Sequence, residues 1–290
     1  MQFTNIEVRP LSGAMGAEVR GVDLSGELDD ATFAEIHAAF VHFGIICFRN
    51  QDLTLAQLVA FARRFGELDV HPIVKGMEDY PELVRVWKPK GESASFGVGW
   101  HSDNSFFAEP SKASVLYGVT IPPYGGDTLY ASMEKAYAAL SPAMQRFLDP
   151  LHAVHSAARA YDPKVTGEHK YRGEAPIQYR YDERAIYSEV VHPVVRMHPE
   201  SGRKSVYVNP MFTQRIVELG ADESRAVLDF LFAHAVRPEF TCRLRWEPRT
   251  LAVWDNRSVQ HYAIDDYRDF DRLTYRATVR GDRPRSSETA

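Results

Sequence analysis

The sequence has few cysteines, no long apolar run and no block of like charges. Its two cysteines, Cys47 and Cys242, lie in short apolar segments, so we expect two buried strand residues and not a disulfide scaffold. No stretch approaches the roughly 18 apolar residues of a membrane span. The first residues, MQFTNIEVRPLSGAMG, lack the apolar core of a secretory signal. We therefore expect a cytoplasmic protein without a membrane partner.

The charge balance and the missing motifs exclude further classes. The formal charge of −5 is mild, and no basic stripe indicates a nucleic-acid partner. The sequence contains no GxGxxG, GxxxxGK[ST] or GxSxG motif, so the common nucleotide-binding loops and the serine-hydrolase elbow are absent. The hydrophobic fraction of 44% is ordinary and provides enough apolar side chains for a core.

Many short strand-like segments and a few helices follow one another along the chain. Helical apolar spacing predicts helices at 30–43, 55–65, 133–140, 142–151 and 222–235. Strands are predicted at 6–9, 17–22, 45–48, 83–87, 113–119, 128–130, 190–197, 205–208, 240–246, 250–255, 260–263 and 275–280. This order lacks the regular β-α-β alternation of a doubly wound sheet. We predict a mostly β fold, a sandwich or barrel with flanking helices.

We expect one domain over residues 1–290, because no linker rich in Pro, Gly or Ser divides the chain. Residues 157–185 mix charged residues, Tyr, Gly and Pro without a period. They are interpreted as an active-site lid, with a plain surface insertion as the alternative. The polar tail, 283–290, is expected to fray.

The most informative pair of residues is His101 and Asp103, which form an H-x-D sequence. In an extended segment, residues i and i+2 project to the same face, so the imidazole and the carboxylate would lie side by side. Two histidines and one carboxylate on one face of a metal leave three positions open, as in non-haem iron oxygenases. H-x-D alone is weak evidence, since it arises by chance in many proteins, and a second histidine must come from elsewhere.

Two arginines near the C-terminus, Arg272 and Arg276, share a face of a predicted strand. A buried arginine pair requires anions, because an unpaired buried charge is very costly. Arginine also binds carboxylates through a two-pronged fork. The pair therefore indicates either an anionic ligand or an internal network with Asp265, Asp266, Asp269 or Asp271.

Four segments resemble the taurine and chlorophenoxyacetate (TauD/TfdA) dioxygenases of the 2-oxoglutarate-dependent superfamily. They are WHSDNSF (100–106), GGDTLYAS (125–132), WDNRSVQHYAIDDY (254–267) and RLTYRATVRGD (272–282). The resemblance extends over nearly the whole chain, from LSGAMGAEVRGVDL near the N-terminus through HPVVRMHPESGRKSVYVN (192–209). It implies a double-stranded β-helix, the cupin-like jelly roll, which agrees with the predicted strand content.

The resemblance also implies site residues and cofactors. His101, Asp103 and His261 would be the ligands of Fe(II), and Arg272 with the Thr128 hydroxyl would hold the distal carboxylate of 2-oxoglutarate. With O₂, such enzymes convert 2-oxoglutarate to succinate and CO₂ while they hydroxylate a substrate. Hydroxylation of a carbon next to a heteroatom then cleaves the substrate. A homo-oligomer is left open.

The resemblance leaves the substrate less defined than the reaction. The residues expected around it are His71, Val74, Gly97, Phe106, Tyr161 and Arg276. The positions of His71 and Arg276 bind the sulfonate in the taurine enzymes, so we expect an anionic substrate gripped by both at the mouth of the cavity. Val74 and Gly97 replace a tyrosine and an asparagine, which predicts a roomier and less polar pocket. Sulfonates, alkyl sulfates and aryloxyalkanoates are the substrate classes considered.

Three alternatives are weighed against this hypothesis. The same iron could catalyse desaturation, halogenation or isonitrile formation, although Asp103 argues against the related halogenases, which replace the carboxylate ligand with a small residue. A zinc hydrolase could use the same three ligands, but Arg272 and Thr128 would then lack a role. The third alternative is a non-catalytic cupin-like binding protein.

Overall fold

The computed structural model describes residues 2–92, 96–171 and 177–286. Within them the strands β1 to β15 are, in order, Glu7–Pro10, Ala17–Arg20, Ile45–Phe48, Leu83–Lys88, Ala113–Thr120, Thr128–Ser132, His152–Ser156, Glu189–Pro193, Val195–Met197, Lys204–Val206, Thr213–Ile216, Thr241–Leu244, Leu251–Asp255, Val259–Ala263 and Arg272–Val279. The α-helices α1 to α8 are Asp30–Phe43, Leu55–Arg63, Met133–Ala138, Pro142–Leu148, Ala158–Tyr161, Pro163–Thr166, Glu183–Tyr187 and Ala221–Ala235. Short 3₁₀ turns lie at Glu168–Tyr171 and Pro238–Phe240.

The first two helices begin and end where their capping residues lie. The Asp29 side chain accepts a hydrogen bond from the Thr32 amide at the start of α1, and Gly44 ends the helix with a φ of 73°. Thr54 and Gln57 form a capping box at the start of α2. The predicted start of each helix and the end of α1 are confirmed.

A seven-stranded sheet in the order β1-β2-β3-β13-β5-β15-β4 forms the centre of the protein. Its strand β3 is buried on both faces. Ile46 and Phe48 pack in the cluster that includes residues of α1 and α2, whereas Ile45 and Cys47 pack in a second cluster with residues of β6 and β12. This alternation is the period of two that a strand imposes. The large sheet is therefore covered by helices on one face and by a smaller sheet on the other.

The smaller sheet has the order β12-β6-β14 and is antiparallel throughout. Two further sheets, β11-β7-β8 and β10-β9, complete the strand content. The architecture is thus rich in sheet with flanking helices, as predicted. Because β14 belongs to the smaller sheet and β15 to the large one, side chains from His261 and from Arg272 and Arg276 can meet between them.

Some predicted boundaries are wrong for identifiable reasons. The helix predicted at 142–151 ends at Leu148 with Asp149 as its C-cap, because Pro150, the next residue, has no amide hydrogen to continue the helix. The strand predicted at 190–197 is divided into β8 and β9 after Pro193, which has no amide hydrogen to continue the ladder. Strands β7 and β11 were not predicted.

Cys47 and Cys242 are free, buried strand residues, as expected.

The remaining predictions concern segments that the structure covers in part. The predicted lid contains α5, α6 and the start of α7, but residues 172–176 lie outside the described part. The tail residues 287–290 also lie outside it. Among the described residues, no helix is long and apolar enough to cross a membrane.

Candidate active site

His101 and His261 are held side by side by their own backbones. The two residues form an isolated antiparallel bridge, with the His101 amide 3.1 Å from the His261 carbonyl and the reverse pair at 2.8 Å. Their ring centroids lie 4.1 Å apart. A bridge of this kind brings opposing side chains to the same face, so both imidazoles point into one cavity.

Asp103 completes the group from the turn that follows this bridge. Its Oδ1 lies 3.7 Å from Nε2 of His101 and 3.9 Å from Nε2 of His261. The extended backbone expected for H-x-D ends at Ser102, and Asp103 begins a turn instead. The side chains nevertheless converge. In the described part of the chain, these three buried residues are the one group of His, Cys, Asp and Glu that could hold a metal ion.

The protonation states of the three side chains suit metal binding. Burial, with a contribution from His101, lowers the pKa of His261 to about 3, and burial also lowers the pKa of His101. Both rings are therefore neutral at pH 7. Burial alone would raise the pKa of Asp103, but the positive charge of Arg276, together with the two neighbouring histidines and the Ser114 hydrogen bond, outweighs it and keeps the pKa below its usual range. Two neutral imidazoles and one carboxylate match the ligand set of a non-haem Fe(II) site.

Hydrogen bonds fix the histidine tautomers in part. Nδ1 of His101 lies 2.8 Å from the carbonyl of Gly99 and must donate to it, which leaves the Nε2 lone pair facing Asp103. Nδ1 of His261 is buried and has no hydrogen-bond partner in the described structure.

Arg272 lies in a small inner cavity of about 40 Å³ beside the triad. Its guanidinium lies 5.7 Å from the Trp246 ring centroid and 5.8 Å from that of Tyr267, and its buried Nε has no hydrogen-bond partner among the described residues. Thr128 lines the same cavity, and its hydroxyl accepts a hydrogen bond from Trp246. Burial lowers the pKa of Arg272, as expected for a cation that lacks a full counter-charge.

The alternative prediction, an internal network of the two arginines with nearby aspartates, does not describe the surroundings of Arg272. Asp265 pairs with Lys88, Asp266 accepts from the Gly126 amide, and Asp271 accepts from the Lys90 amide. Arg272 thus lines the inner cavity without a full counter-charge, which an anionic ligand there would supply.

A larger outer cavity of about 360 Å³ opens beside His101 and Asp103. Three predicted substrate residues, Gly97, Tyr161 and Arg276, line it. The other apolar or aromatic residues of its wall are Phe96, Val98, Trp100, Ala160, Tyr179, Pro210, Met211 and Phe212. The wall is therefore somewhat more apolar than polar, with Asn104 and Arg159 as additional polar groups.

The other three predicted substrate residues lie behind this wall. In the described part of the chain, His71, Val74 and Phe106 are buried and do not line the outer cavity. The ring centroids of His71 and Phe106 lie 6.1 Å and 5.9 Å from that of Tyr161. The phenol ring of Tyr161 therefore covers part of His71 and Phe106, which the sequence analysis expected around the substrate.

Arg276 is also deeper than predicted. Its Nη1 lies 3.1 Å from Oδ1 of Asp103, so it reaches the centre of the site and not only its mouth. Nδ1 of His71 accepts from the amides of Ile73 and Val74, which places the proton of the neutral ring on the buried and unpartnered Nε2. Burial, reinforced by the charge of Arg276, lowers the pKa of His71 to about 3.

Comparison with known proteins agrees with this geometry. The profile of the family described as "Taurine catabolism dioxygenase TauD, TfdA family" matches residues 7–278. The chain belongs to this family. The resemblance found in the four sequence segments is thereby confirmed.

Relatives in the TauD/TfdA family are similar over nearly the full chain. The chain is 36% identical over 282 residues to an "Alkylsulfatase" from Acinetobacter baylyi, covering 96% of this chain and 86% of the relative. It is 36% identical over 287 residues to an "Alpha-ketoglutarate-dependent sulfate ester dioxygenase" from Pseudomonas putida, covering 96% and 91%. A solved taurine dioxygenase from Burkholderia xenovorans is 38% identical with a TM-score of 0.83, covering 99% and 95%. The prediction of a 2-oxoglutarate-dependent dioxygenase is confirmed.

Two residues of this TauD/TfdA site were not predicted from sequence. Ser114 and Asn256 contact Asp103 directly through hydrogen bonds. Asn256 lies within WDNRSVQHYAIDDY, one of the segments that carry the resemblance, so its position was visible. Ser114 lies on β5 among apolar residues and carries no signal of its own.

Proposed function

We propose that the chain is an Fe(II)- and 2-oxoglutarate-dependent dioxygenase that hydroxylates small organic sulfate esters or sulfonates with an apolar body. The observation that carries this proposal is the pair of buried arginines on β15. Arg272 lines the inner cavity, and Arg276, which lies beside Asp103, lines both the inner and the outer one. Two separate cationic points suit a reaction with two anionic reactants.

His101, Asp103 and His261 would hold the iron on one face. Bound there, iron would supply the oxidation of 2-oxoglutarate by O₂ to succinate and CO₂ that drives hydroxylation of the substrate. Arg272 would orient 2-oxoglutarate by its distal carboxylate, and Thr128 would add a hydroxyl donor to the same group. The aromatic rings around Arg272 exclude water, which strengthens this ion pair.

Arg276 and the Nε2–H of His71 would bind the sulfate or sulfonate, provided that Tyr161 allows access to His71. The apolar wall would then receive the carbon chain. Relatives named as acting on sulfate esters support this substrate class. Hydroxylation of the carbon next to the ester oxygen or the sulfur would release the inorganic anion and leave an aldehyde or ketone.

The finer architecture follows the same proposal. We interpret the large sheet and the β12-β6-β14 sheet as the two halves of a double-stranded β-helix, within one domain. Tyr161 of α5 and Tyr179 of the following segment line the outer cavity, and Tyr179 forms a bridge with Val74. This placement supports the interpretation of the described part of 157–185 as a cover over the substrate site.

Replacing Arg276 with alanine is expected to lower kcat/KM for the sulfate or sulfonate substrate by roughly 10- to 100-fold. A charge-assisted hydrogen bond contributes about 1.5–3 kcal/mol, which corresponds to this range. The measurement is succinate release as a function of substrate concentration. Arg280→Ala is the matched control, since Arg280 follows the same strand but is exposed and pairs with Glu67 and Asp69. An unchanged kcat/KM for Arg276→Ala would exclude this residue from the substrate site.

Longer alkyl sulfates, alkyl sulfonates or aryloxypropionates are expected to be better substrates than taurine. The reason is that Val98, Met211 and Phe212 provide apolar contacts, whereas Gly97, which also lines the cavity, offers no polar side chain to an amino group. The test is direct competition in one assay, with each product quantified. If taurine is consumed first, the pocket does not select an apolar body.

A further inference from the structure

Asp103 is held by a closed ring of hydrogen bonds with Ser114 and Asn256. The Ser114 hydroxyl lies 2.6 Å from Oδ2 of Asp103, and Nδ2 of Asn256 lies 3.1 Å from the Ser114 hydroxyl. Oδ1 of Asn256 lies 3.1 Å from the backbone amide of Asp103, which closes the ring. All three side chains are buried, so water does not compete for these bonds.

The direction of each hydrogen bond in the ring is fixed. Oδ1 of Asn256 must accept, because the Asp103 amide and Nε1 of Trp254 both donate to it, the latter at 3.0 Å. Nδ2 of Asn256 therefore donates to Ser114. The Ser114 hydroxyl proton is then left to point at Oδ2 of Asp103. This oxygen is engaged, whereas Oδ1 faces Nε2 of both histidines.

We propose that Ser114 and Asn256 are positioning residues that restrict Asp103 to metal binding through Oδ1 alone. The inference rests on the proposed iron site. A carboxylate can bind a metal through one oxygen or two. The Ser114 hydrogen bond fixes the orientation of the carboxylate, so that Oδ1, which faces both histidines, would be the oxygen presented to the ion, and the triad would keep three positions open for 2-oxoglutarate and O₂. Arg276 contacts Oδ1 as well, but a carboxylate oxygen accepts two partners.

The first test measures Mn(II) binding to Ser114→Ala without 2-oxoglutarate and without turnover. Loss of a partner that orients a metal ligand lowers affinity by roughly 10- to 100-fold, and we expect a change in this range. Free Mn(II) is quantified by electron paramagnetic resonance during titration of the protein. Ser205→Ala is the matched control, because Ser205 is equally buried on a strand and its hydroxyl has no hydrogen-bond partner. Equal Mn(II) affinity of Ser114→Ala and wild type would overturn the proposal.

A second readout separates positioning from a general structural role. At saturating Mn(II), Ser114→Ala is expected to bind the 2-oxoglutarate analogue N-oxalylglycine several-fold more weakly, because the released carboxylate occupies a position that the analogue needs. Ser114→Thr keeps the hydroxyl and is expected to retain most of both affinities. A Ser114→Thr protein with wild-type Tm but alanine-like Mn(II) affinity would contradict the role of the hydroxyl.

The outcome for the wild-type protein distinguishes the two proposals. If wild type binds neither Mn(II) nor Fe(II), the proposed iron function fails, and this inference fails with it. If wild type binds Mn(II) and Ser114→Ala binds it equally well, only the positioning role is rejected.

Discussion

Replacing His261 with alanine is expected to abolish turnover and to lower Mn(II) affinity by more than about 100-fold. Loss of a residue that only orients a ligand already costs roughly 10- to 100-fold, and loss of a ligand itself should exceed that. The remaining ligand atoms, Nε2 of His101 and Oδ1 of Asp103, lie 3.7 Å apart and would bind the ion at only two positions. The measurements are succinate release and Mn(II) titration of the same preparation. His101→Ala should behave in the same way.

The fold should survive the His261→Ala change. The His261 ring is neutral, its Nδ1 makes no hydrogen bond, and its backbone bridge to His101 does not depend on the side chain. His234→Ala is a suitable control, because His234 is also buried but lies on α8, bonds to the Ala136 carbonyl and is not part of the candidate metal group. It should lose stability and retain metal binding. Near-normal activity of either triad variant would mean that the ligand assignment is wrong.

Local sequence signals were sufficient for the elements whose boundaries depend on neighbouring residues. The start of α1 follows from Asp29, and its end follows from Gly44, which adopts a conformation that other residues rarely reach. The continuous apolar run of β3 correctly indicated a strand, and the structure buries it on both faces. The boundaries and type of such elements depend on a few neighbouring residues, so the sequence alone predicts them.

Strand β7 could not be predicted because its environment is built by distant residues. His152–Ser156 contains two histidines and does not resemble an apolar strand. His155 is nevertheless fully buried, with Nδ1 3.2 Å from the Ser105 hydroxyl. A polar side chain can be buried in this way only when a partner arrives through tertiary structure. The sequence around β7 contains no sign of that partner.

For the active site, too, the sequence predicted the types of residue but not how deeply each of them is buried. H-x-D and the family segments indicated His101, Asp103 and His261, which the structure brings together, and Arg272, which lines the adjacent inner cavity. How deep each residue lies depends on which side chains stand in front of it. Tyr161 packs over His71 and Phe106, so two residues predicted to line the pocket lie behind its wall. The resemblance therefore predicted that these residues lie near the substrate site, but not whether they are exposed to the cavity.

Replacing Arg272 with lysine is expected to raise the KM for 2-oxoglutarate by roughly 100-fold while the KM of the sulfate or sulfonate substrate stays within a few-fold. Arginine offers two parallel donors to a carboxylate, and a lysine ammonium cannot reproduce that fork. The loss corresponds to about 3 kcal/mol, the upper range for hydrogen bonds to charged groups. Lysine would also lose the planar contact with Trp246 and Tyr267.

The split between the two KM values makes the Arg272 experiment specific. Arg272 lines the inner cavity only, whereas Arg276 lines both, so a defect at Arg272 should spare the outer cavity. Arg243→Lys is the matched control, because Arg243 is exposed on β12 and pairs with Asp127. Its kinetic constants should equal those of the wild type. If Arg272→Lys instead raises only the substrate KM, the two cavities exchange their assigned ligands. If it raises neither, Arg272 serves neither reactant and the two-anion interpretation of β15 is wrong.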